Sequence, residues 1–339
     1  MADAVIELDE VSRIFPPRKR RESSVHALDR VSLTVRAGEV VGLLGHNGAG
    51  KTTVVRLIAG LLSPTNGRVR VRDLDPMTDG TTLRRLLGVL PTSAFLDSRL
   101  TARQNLRFAA DMFEVIPKHL DERIDGLLDR FDLTERAEDK VDGFSAGMRQ
   151  RLGLARVLLS DPEILLLDEP SAALDPLAVR MVRQLIGELA RESGRTVVLC
   201  THDLTEAQLL CDRVVVLDRG RTLAIGAPDE LAAGLIAGSV EVVLAEQHLD
   251  EARAALREFV TDPVPNSKGD RRHPHGSATD TILLRCSPVE SDQIPDLVRA
   301  LVSAGVPVYG VQPRRAALED VYVSLYNEDR STRSEAEPV

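Results

Sequence analysis

The sequence is poor in cysteine, in long apolar runs and in excess positive charge, and each shortage removes a class of protein. Its three cysteines, Cys200, Cys211 and Cys286, lack metal-like spacing. They read as reduced thiols filling the role of small buried hydrophobes, which points to a cytoplasmic protein. No apolar run approaches the roughly 18–20 residues needed to cross a bilayer. The opening stretch, MADAVIELDE, is acidic and lacks the apolar core of a signal peptide. Net charge is −9, so no global field favours nucleic acid as a partner. What remains is a globular composition, 43% apolar and 28% charged. Its 339 residues suffice for one large domain or two ordinary ones.

The most informative stretch is Gly45-His46-Asn47-Gly48-Ala49-Gly50-Lys51-Thr52, followed by Thr53. It fits the phosphate-loop pattern G-x-x-x-x-G-K-[ST]. Before it runs Val40-Val41-Gly42-Leu43-Leu44, an apolar run of strand length. After it, Val54, Val55, Leu57, Ile58, Leu61 and Leu62 recur at helical spacing. A loop between a buried strand and a helix start is the context that this motif requires. Its glycines let backbone amides, including those of Asn47 and Ala49, close around phosphate oxygens, and the helix N-terminus adds partial positive charge. Lys51 is expected to reach the β- and γ-phosphates, and the Thr52 hydroxyl to ligate Mg²⁺.

Elsewhere the chain alternates. Val5–Leu8 and Val31–Val35 have the period of half-exposed strands, separated by a polar loop holding Arg18-Lys19-Arg20-Arg21. This basic run reads as a solvated loop, with contact to lipid headgroups or nucleotide as the alternative. A short strand at Val69–Val71 and a buried strand end at Gly88–Pro91 follow. From about Leu100 to Ser160 the pattern is helical, with Leu106, Phe108, Ala109, Met112 and Phe113 expected on one face. Strands then return at Ile164–Asp168, Thr196–Cys200 and Arg213–Leu217, with helices at about Leu177–Glu192 and Leu204–Leu210. That alternation implies a largely parallel core with helices on both faces. Beyond about Ala237, strands at Ser239–Leu244, Thr281–Arg285 and Pro307–Val311 interleave with helices near Asp250–Phe259, Pro288–Ser303 and Ala316–Leu325. Thr261–Asp280 reads as a loop, and its His273 and His275 have no further ligands to make a metal site. The tail is polar.

The chemistry gathers around Asp168 and Glu169, which end the apolar strand Ile164–Leu167. Asp168 is placed to hold Mg²⁺, directly or through water, opposite Thr52. Glu169 points elsewhere and is free to polarise an attacking water. A third piece is Phe144-Ser145-Ala146-Gly147-Met148-Arg149-Gln150-Arg151, opening an apolar-periodic helix. With it the chain resembles the ATP-binding-cassette (ABC) family, whose signature reads close to LSGGQ. The remaining motifs follow in the family's order over roughly residues 4–230. Ser171-Ala172-Ala173-Leu174-Asp175 resembles the D-loop, His202 matches the switch histidine, and Phe15 is placed to stack on adenine.

The resemblance implies an ATPase with a composite site. Gly45–Thr53, Asp168, Glu169 and His202 of one subunit would face Ser145 and the Gly147 amide of a second, sandwiching ATP and Mg²⁺. His202 would hold the γ-phosphate and Asp175 would link the two sites. The fold class implied is α/β, a P-loop NTPase cassette. Its mixed, largely parallel sheet carries an antiparallel β subdomain and a helical subdomain at about 92–160. This cassette is expected over 1–237, with a small α/β accessory domain over 238–327 and a disordered tail over 328–339.

Two departures from the family pattern stand out. Thr92-Ser93 occupies the place of a glutamine that contacts Mg²⁺ and the attacking water. The signature has Phe144, Ala146 and Met148 at usually different residues but retains Ser145 and Gly147. The variant FSAGMRQRL, and the terminal stretch Ala317-Leu318-Glu319-Asp320-Val321-Tyr322-Val323, look like the ATPase subunits of ABC-2-type exporters, closest to the drug-resistance group. Such a subunit implies a separately encoded membrane permease, a second cassette that is identical or a paralogue, and a place on the inner face of the cell membrane. Two other readings compete. One is a cassette that remodels ribosomes or nucleic acid, which usually carries two cassettes or a long coiled coil; neither a second phosphate loop nor an extended heptad is present. The other is a membrane-complex ATPase that does not transport.

Overall fold

In a computed structural model of the chain, the described residues are 3–17, 23–92, 95–113, 119–233, 239–257, 259, 264–266, 281–286, 289, 292–314, 318, 319, 321, 322 and 325. The chain divides into two compact units, Met1–Pro228 and Asp229–Val339.

In the first unit, β1 (Ala4–Phe15) pairs antiparallel with β2 (Val25–Arg36) and later with β4 (Asn66–Val71). Both long strands outrun the short alternating cores read from sequence. Between β2 and β4 come β3 (Val40–Leu44) and α1 (Lys51–Ile58). The chain continues through α2 (Gly80–Leu86), β5 (Leu87–Leu90), α3 (Ala102–Met112), α4 (Leu120–Arg130), α5 (Ala146–Val157) and β6 (Ile164–Asp168). It closes with α6 (Pro176–Ser193), β7 (Thr196–Thr201), α7 (Leu204–Leu210), β8 (Arg213–Asp218) and β9 (Arg221–Gly226), and α8 (Pro228–Ala233) lies at the junction of the units.

Among the described residues, six strands form the main sheet in the order β5-β6-β7-β3-β8-β9, parallel except for β9. Strands β3, β6 and β7 are buried along their whole length, as expected when helices cover both faces. Their register fixes the site. Leu44 pairs with Thr201 and Asp168 with Cys200, so β3, β6 and β7 end side by side. In parallel sheets the crevice beyond the carboxyl ends is where ligands bind. One apolar core, including Val11, Leu28, Val54, Ile58, Leu43 and Val198, joins the antiparallel sheet and α1 to the main sheet.

Helices α3, α4 and α5 lie between β5 and β6, and α3 begins with a capping box of Thr101 and Gln104. The face expected on α3 is not formed as read. Leu106 and Ala109 are buried, but Phe108, Met112 and Phe113 are exposed. The buried stripe is instead Ala102, Leu106, Ala109 and Ala110, whose 3.6-residue spacing leaves Phe108 and Met112 on another side.

In the second unit β10 (Ser239–Ala245), α9 (Leu249–Ala255), β11 (Val264–Asn266), β12 (Thr281–Cys286), α10 (Ile294–Ser303) and β13 (Val308–Arg314) follow one another. The strand order is β11-β12-β10-β13, all antiparallel, so the unit is a ferredoxin-like βαββαβ arrangement. Alternating Val240, Val242 and Leu244 pack with Leu284, Leu256, Leu297 and Leu301 in its core. Strand β11 corrects the reading of Thr261–Asp280 as all loop. Pro265 hides it, because proline breaks a strand pattern, yet an edge strand tolerates the missing N–H. The basic run 18–21, Ser93, the histidines at 273 and 275, half of the expected helix 316–325 and the tail 328–339 lie outside the described residues.

Candidate active site

The phosphate loop leaves β3 and enters α1 at Lys51. Gly50 has φ 114°, and a Cβ there would meet Leu28 Cδ2 at 2.7 Å and the Ala27 carbonyl at 2.8 Å. Only glycine satisfies both the left-handed backbone and that close approach. Ala49 is fully buried beneath the turn, and Gly45, Asn47 and Gly48 complete it. His46 ties the loop to the end of β8. Its Nε2 lies 2.7 Å from Asp218 Oδ1 and its Nδ1 2.7 Å from Asn47 O. Sequence reading passed over this clip, because Asp218 lies far along the chain.

Lys51 is buried and donates to Gly45 O at 2.6 Å and to His46 O at 3.3 Å. Its Nζ also lies 3.2 Å from Glu169 Oε1, a charge contact without hydrogen-bond geometry. Next in α1, the Thr52 hydroxyl donates to Asp168 Oδ2 at 2.9 Å, with Thr53 half-buried behind it. Burial raises the Asp168 carboxyl above the usual carboxylate range; the Thr52 hydrogen bond opposes this, Glu169 adds to it, and Lys51 and the Thr92 hydroxyl oppose it. Asp168 Oδ1 is buried without a hydrogen-bond partner. An orphaned carboxylate oxygen beside a threonine hydroxyl is a fit donor set for Mg²⁺, which takes few protein ligands and completes its shell with water and phosphate. Among the described residues no three His, Cys, Asp or Glu side chains converge on a metal position, so a site built on protein ligands alone has no candidate there.

After Asp168 the backbone turns sharply. Glu169 takes φ 54°, its amide donates to Cys200 O at 2.9 Å, and its side chain swings away from Asp168 toward β7. There Glu169 Oε2 meets His202 Nδ1 at 2.6 Å. Non-glycine residues in this conformation persist only when surroundings hold them.

The other candidate residues meet elsewhere. Ser145 caps α5, its hydroxyl accepting from the Met148 amide at 3.2 Å. Ala146, where the family signature usually has glycine, is the first helical residue of α5, so its methyl strains nothing. Gly147 is needed for packing, since a Cβ on it would lie 2.8 Å from Ala178 Cβ of α6. Asp175 caps α6 by accepting from the Leu177 and Ala178 amides, each at 3.0 Å. Ser145, Gly147 and Asp175 share the wall of an open cavity of about 150 Å³, and no phosphate-loop residue lines it. Phe15 closes β1, with the Arg13 guanidinium 4.6 Å from its ring centre.

The ABC transporter family profile matches residues 28–172. Over 340 residues the chain is 36% identical to the daunorubicin resistance ATP-binding protein DrrA3 of Streptomyces coeruleorubidus, covering 99% of this chain and 100% of that one. It is 34% identical to the Nod factor export ATP-binding protein I of Neorhizobium galegae, over 94% of this chain and 84% of the relative. Among solved structures, cbiO1 from Clostridium perfringens, part of the ABC transporter complex cbiONQ, superposes with a TM-score of 0.60 at 30% identity, over 68% of this chain and 91% of that one. The dimeric post-hydrolysis cassette MJ0796, bound to ADP and Pi, gives 0.58 at 29% identity, over 66% and 98%.

Proposed function

The chain belongs to the ABC transporter family and is one of its ATPases, and from that premise we propose that it powers an ABC-2-type exporter of drugs, lipids or glycoconjugates. The observation that carries the catalytic half is the contact chain Thr52–Asp168 and Lys51–Glu169–His202, at 2.9, 3.2 and 2.6 Å, at the carboxyl ends of three adjacent parallel strands. In this reading Lys51 grips the β- and γ-phosphates of ATP. Thr52 and Asp168 hold Mg²⁺, which when bound neutralises phosphate charge. Glu169 accepts the proton of the attacking water, and His202 orients Glu169 and contacts the γ-phosphate. Phe15 stacks on the adenine. Ser145 and the Gly147 amide, at the start of α5, close on the γ-phosphate of a second copy or a paralogue, with Asp175 beside them.

The export half rests on two supports. Solved cassettes span about two thirds of this chain, 66–68%, whereas the daunorubicin resistance relative matches it from end to end, accessory unit included. The second support is a surface. Phe95, Phe108, Met112 and Phe113 are all about half exposed or more. Arg156 organises part of this patch by donating to Phe95 O at 2.6 Å and lying 5.7 Å from the Phe113 ring centre. Exposed apolar patches of this kind mark protein contacts. No helix among the described residues is long and apolar enough to cross a membrane. In this reading a separately encoded permease supplies the pathway, docks on this patch and keeps the chain at the inner face of the cell membrane.

The test is affinity purification of tagged Glu169→Gln protein from native membranes with ATP and Mg²⁺. An integral membrane protein in the eluate, lost when Phe108 and Met112 are made polar, is the expected result. Ribosomes, nucleic acid or soluble partners alone would replace export with a remodelling function.

A further inference from the structure

Glu206 is fully buried, and nothing in the reaction as read uses it. Two segments of chain meet on its carboxylate, and a third holds its backbone amide. The Ser171 hydroxyl, two residues past Glu169, donates to Glu206 Oε1 at 2.5 Å. Arg183 of α6 brings Nε to 3.8 Å from the same oxygen, while its Nη2 donates to Asp203 Oδ2 at 2.5 Å. Asp203 accepts the Glu206 amide at 2.9 Å, and its own amide donates to Thr201 Oγ1 at 3.0 Å. Burial raises the Glu206 carboxyl above its ordinary range against the pull of Ser171, Thr201 and Arg183.

These partners are not scattered. Ser171 belongs to the turn that carries Glu169, a turn with two left-handed non-glycine residues, Glu169 and Ala173. Thr201 and Asp203 flank His202 on either side. One enclosed residue therefore links the two turns whose side chains meet at 2.6 Å as Glu169 Oε2 and His202 Nδ1, by its carboxylate to Ser171 and by its amide to Asp203. An apolar side chain of similar size would fill the space without the cost of burying a carboxylate. What the carboxylate adds is a directional bond to the Ser171 turn and, through Arg183, a charge link to Asp203 of the other turn.

We propose that Glu206 is a positioning residue for ATP hydrolysis. Through Ser171 on one side and the Thr201–Asp203 turn on the other it sets the separation of Glu169 and His202. Through Arg183 it ties that pair to α6, the helix capped by Asp175. The proposal rests on Glu169 and His202 acting together on the attacking water and the γ-phosphate.

The experiment compares steady-state Mg-ATP hydrolysis, ATP affinity and thermal unfolding for the full-length chain and four variants. Glu206→Ala should lower kcat by about a hundredfold, the cost of displacing a reacting group by about 1 Å. KM and ATP affinity should shift by less than about threefold, because no phosphate contact is removed. Glu206→Gln keeps an acceptor for Ser171, so it should recover most of the rate. Ser171→Ala should lower kcat by about tenfold, and adding it to Glu206→Ala should cost little more, as coupled residues on one path require. If Glu206→Ala does not fold, Ser171→Ala decides, since it removes one hydroxyl only. An unchanged kcat in the folded variants overturns the proposal. So does a loss of kcat that Glu206→Gln fails to restore, or one that merely follows the unfolded fraction. Glu169→Gln runs alongside. Normal turnover in that variant would remove the reading beneath the proposal, whereas an inactive Glu169→Gln with normal Glu206→Ala and Ser171→Ala would remove Glu206 alone.

Discussion

Lys51 Nζ lies 3.2 Å from Glu169 Oε1 while the same ammonium donates to Gly45 O at 2.6 Å. The cation expected to grip phosphate and the carboxylate expected to activate water are thus paired with each other, both largely shielded from solvent. In the proposed reading, a triphosphate entering the loop would compete with Glu169 for Lys51 and free one carboxylate oxygen. Binding and readiness for chemistry would then be linked through one ammonium group.

Lys51→Ala should therefore weaken ATP binding itself, by about one to two orders of magnitude, the worth of a charge-assisted phosphate contact. Calorimetry or a fluorescent nucleotide analogue measures this directly. Unchanged affinity would mean that Lys51 stays on the loop carbonyls and on Glu169 in the bound state.

Glu169→Gln should leave ATP binding intact and lower kcat by about a hundredfold or more, the usual contribution of a general base. With hydrolysis blocked, light scattering should report an ATP-dependent dimer. Sustained turnover would assign the proton transfer to another group.

Thr92 reaches the neighbourhood of Asp168 through its hydroxyl but is shorter than the glutamine usual at this place in the family. Slow turnover and a loose Mg²⁺ dependence are expected of the natural chain. Thr92→Gln should raise the rate and lower the Mg²⁺ concentration needed for half-maximal activity. If neither quantity moves, the shorter side chain is not what limits this ATPase.

The Phe15 ring has Arg13 close by, 4.6 Å from guanidinium carbon to ring centre. Phe15→Ala should weaken ATP binding by roughly tenfold, as loss of an aromatic–base stack does. Inorganic triphosphate should bind the variant and the natural chain alike. Equal losses for both ligands would rule out stacking.

Cys200, Cys211 and Cys286 are all buried, and burial pushes the Cys286 thiol up to about 11 from 9.0. Because the thiolate is the reactive form, a thiol-specific reagent near pH 8 should label the native chain slowly and the unfolded chain completely. A raised folded value also sets a sign. The contribution of Cys286 to stability is complete below 9.0 and is lost as pH rises through about 11. Cys286→Ala should flatten that alkaline loss in a denaturation series, and an unchanged slope would place the cause elsewhere.

Much of this protein could be read from short stretches of chain. A glycine-rich loop between an apolar strand and a helical stripe carries its own context, and so does a strand ending in Asp168-Glu169. The parallel core follows from strands apolar along their whole length, because only strands covered on both faces can be so. Reading failed where local pattern was ambiguous. Pro265 concealed β11, and the aromatics of α3 looked like core until the helix period was set against what packs on it.

The sequence by itself determined the order of the motifs, the types of group available for phosphate, metal and water, and the class of fold. Only the tertiary structure decided which of those groups touch. Lys51 and Glu169, Glu169 and His202, His46 and Asp218, and Ser171 and Glu206 are each separated by 33 to 172 positions or by whole strands and helices. Their distances depend on the register of β3, β6 and β7, the left-handed turn at Glu169 and the packing of α6 on α7. Hydrogen bonds act over about 3 Å, so a registry that no local pattern encodes determines which pairs form.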